Sequence, residues 1–183
     1  VSLLLINSAF AQSSVWKASK DGRRIYIGGT MNLLREQDFP LPVAFETAYN
    51  NSSVLVFETD ISKLETPDFQ QKLIAQSFYP GDSTIENILS EETLMEVKKI
   101  CADSGLPFPQ LKKLRPSMLI LTLVSLQYQK LGISAPGVDI HFHKRGLEES
   151  RKILTLETAE EQISYLVSMG RGHEDEFVRH SLE

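Results

Sequence analysis

The sequence predicts an α/β fold interrupted by a helical insert, and three observations point there. Strand, helix and strand patterns follow one another early in the chain, ending in Val54-Leu55-Val56-Phe57, a continuous apolar run bounded by Glu58 and Asp60. Such a run suits a strand buried on both faces, with its acidic end at the sheet edge. From Pro67 to Leu131 the pattern turns to successive amphipathic helices. Beyond them Ile153-Leu154-Thr155-Leu156 reads as another short strand, again closed by an acid, Glu157. This alternation belongs to an α/β core rather than a β-sandwich.

In chain order, Val15-Trp16-Lys17-Ala18-Ser19 and Arg24-Ile25-Tyr26-Ile27 flank Lys20-Asp21-Gly22. Two β-rich runs about an Asp-Gly turn make a hairpin. Pro40-Leu41-Pro42 then leads into Val43 to Tyr49, where Phe45, Ala48 and Tyr49 fall at helical spacing before Asn50-Asn51-Ser52 ends the helix. In the insert, helices are expected at Phe69 to Gln76, Glu91 to Ser104 and Pro116 to Leu131, broken at Tyr79-Pro80-Gly81-Asp82 and Leu106-Pro107-Phe108-Pro109. Ser90 before Glu91 and Glu92 supplies a cap and an acidic first turn. Gly132 to Gly137 reads as a loop, Val138 to Gly146 as a lead into a short helix, and Thr158 to Met169 as helix, with Ile163, Leu166, Val167 and Met169 at helical spacing.

Composition narrows the function classes. With 183 residues, 42% hydrophobic and 23% charged, the chain has the mix and length of one folded domain with a sizeable apolar core. Cys101 is the lone cysteine, so there is no internal disulfide and no cysteine-rich zinc site. A net charge of -5 without a basic run argues against nucleic-acid binding by phosphate neutralisation. Val1 to Ile6 is apolar and is followed by Ala9-Phe10-Ala11 and polar Gln12-Ser13-Ser14. That is the form of a signal peptide without its charged front, so residues 1–11 are expected to be a leader remnant and 12–183 the mature, periplasmic or secreted domain; a buried first strand is the competing reading. No other uncharged run approaches the roughly 20 residues that span a bilayer, so an integral membrane protein is not expected. Glu176 to Glu183 reads as helix without a closing Gly or Pro, and the reading frame is expected to continue.

Phe57-Glu58-Thr59 and Leu156-Glu157-Thr158 repeat one pattern, an apolar strand ending in Glu-Thr. Carboxyl ends of strands border the ligand crevice of an α/β sheet, so two carboxylates delivered there would share one site; two solvent-facing acids are the bland alternative.

These residues also carry a resemblance. Trp16-Lys17, Gly29-Thr30-Met31-Asn32 and Phe57-Glu58-Thr59, then Leu114-Arg115-Pro116, Gly137-Val138-Asp139 and Leu156-Glu157-Thr158 with Gln162, stand in the order of motifs in the TraB/GumN family, also called the Tiki-like family. The likeness runs from Val15 to Glu183. The resemblance implies an α/β fold whose mixed sheet comes from two related strand-helix halves with the helical insert between them, the C-terminal part being absent here. It also implies a metal-dependent, peptidase-like hydrolase whose site uses two Gly-x-x-His motifs and acidic residues, with a peptide or protein as substrate. Carried over residue by residue, Glu58 and Glu157 are the catalytic candidates, while Asn32, Glu58 and Asp139 are candidate ligands of a divalent ion. Arg115 matches a recurrent basic position without a stated role.

One departure argues against that chemistry. Asn32 stands where the first motif has histidine, and an amide oxygen is a weaker ligand for transition ions than imidazole. The second Gly-x-x-His motif is expected beyond Glu183; the literal match Gly170-Arg171-Gly172-His173 follows a helical run rather than a strand and is read as a decoy. His141 and His143 would share a face in a strand and clamp a metal, but diverge in a helix. Gly28-Gly29-Thr30 lacks the spacing of a phosphate loop and is expected to permit close backbone approach. Cys101 and Trp16 are expected in core packing rather than as nucleophile and stacking platform. Two classes remain: an exported metallohydrolase, or a non-catalytic periplasmic binding or accessory protein on the same fold, serving polysaccharide export or haem handling.

Overall fold

The structure is a computed structural model and describes residues 14–183; the expected leader, residues 1–11, lies outside them. In chain order the elements are β1 (Val15–Lys20), β2 (Arg23–Gly28), β3 (Leu33–Leu34), α1 (Val43–Asn50), β4 (Val54–Phe57), α2 (Ile61–Leu64), α3 (Pro67–Ser77), α4 (Glu91–Asp103), α5 (Phe108–Leu111), α6 (Pro116–Lys130), β5 (Ala135–Pro136), α7 (Val138–Glu148), β6 (Lys152–Thr155), α8 (Ala159–Ser168) and α9 (Glu174–Leu182). The α/β class stands, with the helical insert where the sequence puts it. Among the described residues the strands pair two by two, β1 with β2, β3 with β5, and β4 with β6.

The described chain divides into two units, one of residues 14–57 and 133–154 and one of residues 58–132 and 155–183. In the first, β1 and β2 run antiparallel with Val15 opposite Gly28 and Lys20 opposite Arg23. Their turn works because Asp21 and Gly22 both adopt positive φ, 51° and 74°, the left-handed pair a two-residue hairpin requires. The core of this unit is aromatic. Phe142 of α7 lies against Tyr49 and Phe45 of α1, with ring centroids 5.1 and 6.2 Å apart. β4 adds Leu55 and Phe57, while Val54 and Val56 stay exposed. The strand is therefore buried on one face, not on both as its unbroken apolar run suggests, because its cover in this unit, α7, packs on one side. Trp16 is also a correction: it is 60% exposed, since by register it shares the hairpin's outward face with Ile27 and Ile25.

The second unit is helical. Its main core gathers Ile85, Leu89, Val97, Cys101, Leu114, Leu119, Ile120, Leu123 and Val178, and a smaller one gathers Phe69, Ala159 and Ile163. Cys101 is fully buried, as its place on an apolar helix face predicts, and burial pushes its thiol up, away from the reactive thiolate. The caps follow the local sequence. Ser90 Oγ accepts from the Thr93 N–H at the start of α4, and Thr158 forms a reciprocal box with Glu161 at the start of α8. Gly170-Arg171-Gly172-His173 is the turn between α8 and α9, with His173 flanking the helix start, so it is not a strand-borne motif.

Candidate functional site

The repeated strand-Glu-Thr pattern becomes one structural feature. β4 and β6 are neighbours, and in the second unit the residues just past them meet: the N–H groups of Leu156 and Glu157 both donate to the Glu58 carbonyl, at 3.2 and 2.9 Å. The two strands thus end side by side, and Glu58 and Glu157 project from adjacent backbones. Glu58 is exposed and Glu157 half-buried. The threonines beside them differ. Thr158 gives its hydroxyl to Glu161 at 2.8 Å, whereas Thr59 is 3% exposed and its hydroxyl has no partner among the described residues.

The segments that carry Asn32 and Asp139 lie side by side in the first unit. β3 pairs antiparallel with β5, and the Val138 N–H donates to the Met31 carbonyl at 3.1 Å. Gly137 permits this contact: a Cβ there would collide with the Met31 carbonyl oxygen and the Asn32 main chain. The motif Gly137-Val138-Asp139 therefore seats the first turn of α7 against the segment bearing Asn32, which is itself exposed. Asp139 borders a cavity of about 170 Å³ whose walls include Tyr26, Thr30, Phe45, Phe57 and Phe142. Gly28 also fits its expected role, since a Cβ there would press on the Phe45 ring at 3.2 Å.

The histidine clamp does not form. α7 carries both His141 and His143, and two residues apart on a helix point about 200° away from each other. His141 stacks near Phe39, 5.2 Å between ring centres, while His143 is buried against Phe57 at the same separation. Among the described residues no three His, Cys, Asp or Glu side chains gather closely enough to hold a metal ion. The His, Cys, Asp and Glu side chains of the described residues thus do not by themselves make up a metal's ligand set.

Arg115 acquires a role the sequence left open. Its N–H donates to the Ser77 carbonyl at 2.8 Å, its Nε–H to the Gln76 carbonyl at 2.9 Å, and its guanidinium lies 5.1 Å from the Tyr79 ring. It ties the end of α3 to the start of α6. A second basic cluster has little sequence signal. Tyr49 is flanked by the guanidinium groups of Arg145 and Arg151, 4.2 and 4.0 Å from its ring centre, and its hydroxyl donates to Glu149 at 2.9 Å. Arg145 also bonds Glu46 at 2.7 Å and Glu149 at 2.8 Å. The Arg145 bond, then the Tyr49 and Arg151 bonds, hold the Glu149 carboxyl down at about 2. The partners are about 100 residues apart in sequence, and only the spacing of Arg145 and Glu149 on one helix face hints at them.

Strand-end acids, the ordered motifs and the helical insert together define an α/β protein of the TraB type. The sequence model of the TraB/PrgY/gumN family matches residues 14–183, and the chain belongs to that family. It is 27% identical over 149 residues to YbaP of Escherichia coli (strain K12), a protein described as uncharacterized, and equally so to YbaP of Shigella flexneri. Each match covers 80% of this chain and 53% of the relative, so the chain spans about half the length of the curated relatives it matches. No solved structure matches it.

Proposed function

We propose that this chain carries the acidic part of the site of an exported, peptidase-like hydrolase, with Glu58 and Glu157 as its acid–base pair. The observation that carries the reading is the shared bond at the Glu58 carbonyl, which holds the two strand ends together. Two carboxylates on adjacent backbones suit amide hydrolysis: a carboxylate takes a proton from the attacking water, and that proton is handed on to the departing amine as the C–N bond breaks.

The test uses the full-length gene product. Glu58→Gln and Glu157→Gln are each expected to lower kcat on an unstructured peptide by about 100-fold or more with the circular dichroism spectrum unchanged. Full activity in either variant removes that residue from the chemistry. Export is checked in the same preparation, since N-terminal sequencing of periplasmic protein should begin at Gln12 or a near neighbour. Cytoplasmic protein retaining residues 1–11 would instead make that segment structural.

Asn32 favours a second reading, a non-catalytic periplasmic binding or accessory protein on this fold. It predicts saturable ligand binding without turnover by wild type, with or without manganese, cobalt or zinc.

A further inference from the structure

The hairpin of β1 and β2 turns a face that is both apolar and basic to solvent. By register Trp16 lies opposite Ile27, Ala18 opposite Ile25 and Lys20 opposite Arg23, and residues two apart on a strand share a face. That face therefore runs from an aromatic and aliphatic patch to a pair of cations over about 13 Å, four strand steps of about 3.3 Å. Trp16, Ile25 and Ile27 are each more than half exposed. Contiguous exposed apolar surface beside polar groups marks an interaction site.

Charge says what the face meets. The hairpin sets Lys17, Lys20, Arg23 and Arg24 against Asp21 alone, in a chain whose net charge is -5. Among the described residues none of these four cations forms a salt bridge. Lys20, Arg23 and Arg24 also line an open hollow of about 620 Å³ at the turn, room enough for an anionic headgroup. A partner for this face must offer hydrocarbon and negative charge side by side, and the interface of an anionic bilayer offers both. We propose that the outward face of the hairpin docks the protein on anionic phospholipid membrane. Trp16, Ile25 and Ile27 enter the boundary between headgroups and acyl chains, while Lys20 and Arg23 reach back to the phosphates. The hairpin lies on its side, because entry turn-first would carry the cations ahead of the apolar side chains. The contact is peripheral: among the described residues no helix is long and apolar enough to cross a membrane. This inference is independent of whether Glu58 and Glu157 are catalytic.

The experiment measures partition of the full-length gene product onto vesicles of phosphatidylglycerol and phosphatidylcholine in equal parts, with pure phosphatidylcholine as the reference. Binding should be at least about tenfold stronger to the anionic vesicles and should weaken with added salt. Trp16→Ala, and Lys20→Gln combined with Arg23→Gln, should each weaken it by about fivefold or more with the circular dichroism spectrum unchanged. Tyr165→Ala, which removes a comparably exposed aromatic from the other unit, should leave it unaltered. Bromine-labelled lipid should quench the emission of Trp16, read as the difference between wild type and Trp16→Phe. Equal binding to both kinds of vesicle overturns the proposal, as does a preference for anionic vesicles that the hairpin variants leave intact. So does a protein that ignores vesicles but forms a dimer that Trp16→Ala abolishes, which would assign the face to a second copy.

Discussion

Gly137→Ala tests the contact that seats the start of α7, which carries Asp139, against the segment that carries Asn32. Gly137 sits at φ -71° and ψ 179°, values open to any L-residue, so alanine meets no backbone strain of its own. The entire penalty is contact. The added Cβ would fall on the carbonyl oxygen of Met31 and the main chain of Asn32, atoms that cannot swing aside as a side-chain end does. Overpacking ordinarily costs about 1 to 3 kcal/mol, and collision with main chain places this site at the upper end, about 3 kcal/mol. For a chain of this size that lowers the melting temperature by roughly 6 to 12 °C. Gly146→Ala is the matched control, because its Cβ would meet the Leu55 Cδ1 at 2.6 Å, the movable tip of a side chain, and alanine gains about 1 kcal/mol of helix propensity there. Urea titration and thermal melting of both variants give the ranking. If Gly137→Ala lies within about 0.5 kcal/mol of wild type, the range of an ordinary surface change, the close approach of Gly137 to Met31 and Asn32 is wrong.

Three further outcomes follow from separate parts of the structure. Leu119→Ala, at a fully buried position in the helical core, should cost about 2 to 5 kcal/mol by urea titration, and a smaller loss would mean that the core collapses into the gap. Glu149, held at about 2 against an ordinary value of 4.5, contributes stability that is fully present above about pH 4.5 and lost as pH falls through about 2. Glu149→Gln should therefore flatten the acid limb of the stability curve in that window, and an unchanged limb refutes the role of the Arg145–Tyr49–Arg151 cluster. Asn32→His in the full-length product should tighten binding of manganese, cobalt or zinc in calorimetric titration, because imidazole is a stronger ligand for these ions than an amide oxygen; no change with the fold intact means that position 32 faces no metal.

Local rules were enough for most of the elements. Asp21-Gly22 specified the hairpin because its turn type needs two left-handed residues, and Ser90 and Thr158 marked helix starts because their hydroxyls meet orphan N–H groups two or three residues ahead. Periodicity placed Pro116–Lys130 and buried Cys101, since one helix face repeats every 3.6 residues. The same locality made Glu58 and Glu157 visible as a repeated motif, and the ordered motifs placed the chain in its family. What local rules do not carry is which face finds cover. The apolar run of β4 reads as buried on both sides, and Trp16 as core, yet Val56 and Trp16 are exposed because burial depends on what packs alongside. His141 and His143 looked like a clamp only in a strand, and the helix turned them apart. The cluster around Tyr49 and the clamp made by Arg115 join segments far apart in the chain, and apart from the Arg145–Glu149 spacing on one helix such contacts leave nothing to read. The sequence by itself determined elements, caps and the strand-end acids, because these depend on residues within a few positions of one another. Only the tertiary structure decided the carbonyl bond that joins Glu58 to Glu157 and the seat of Gly137 and Val138 against the Asn32 segment, because each requires two distant segments to come together.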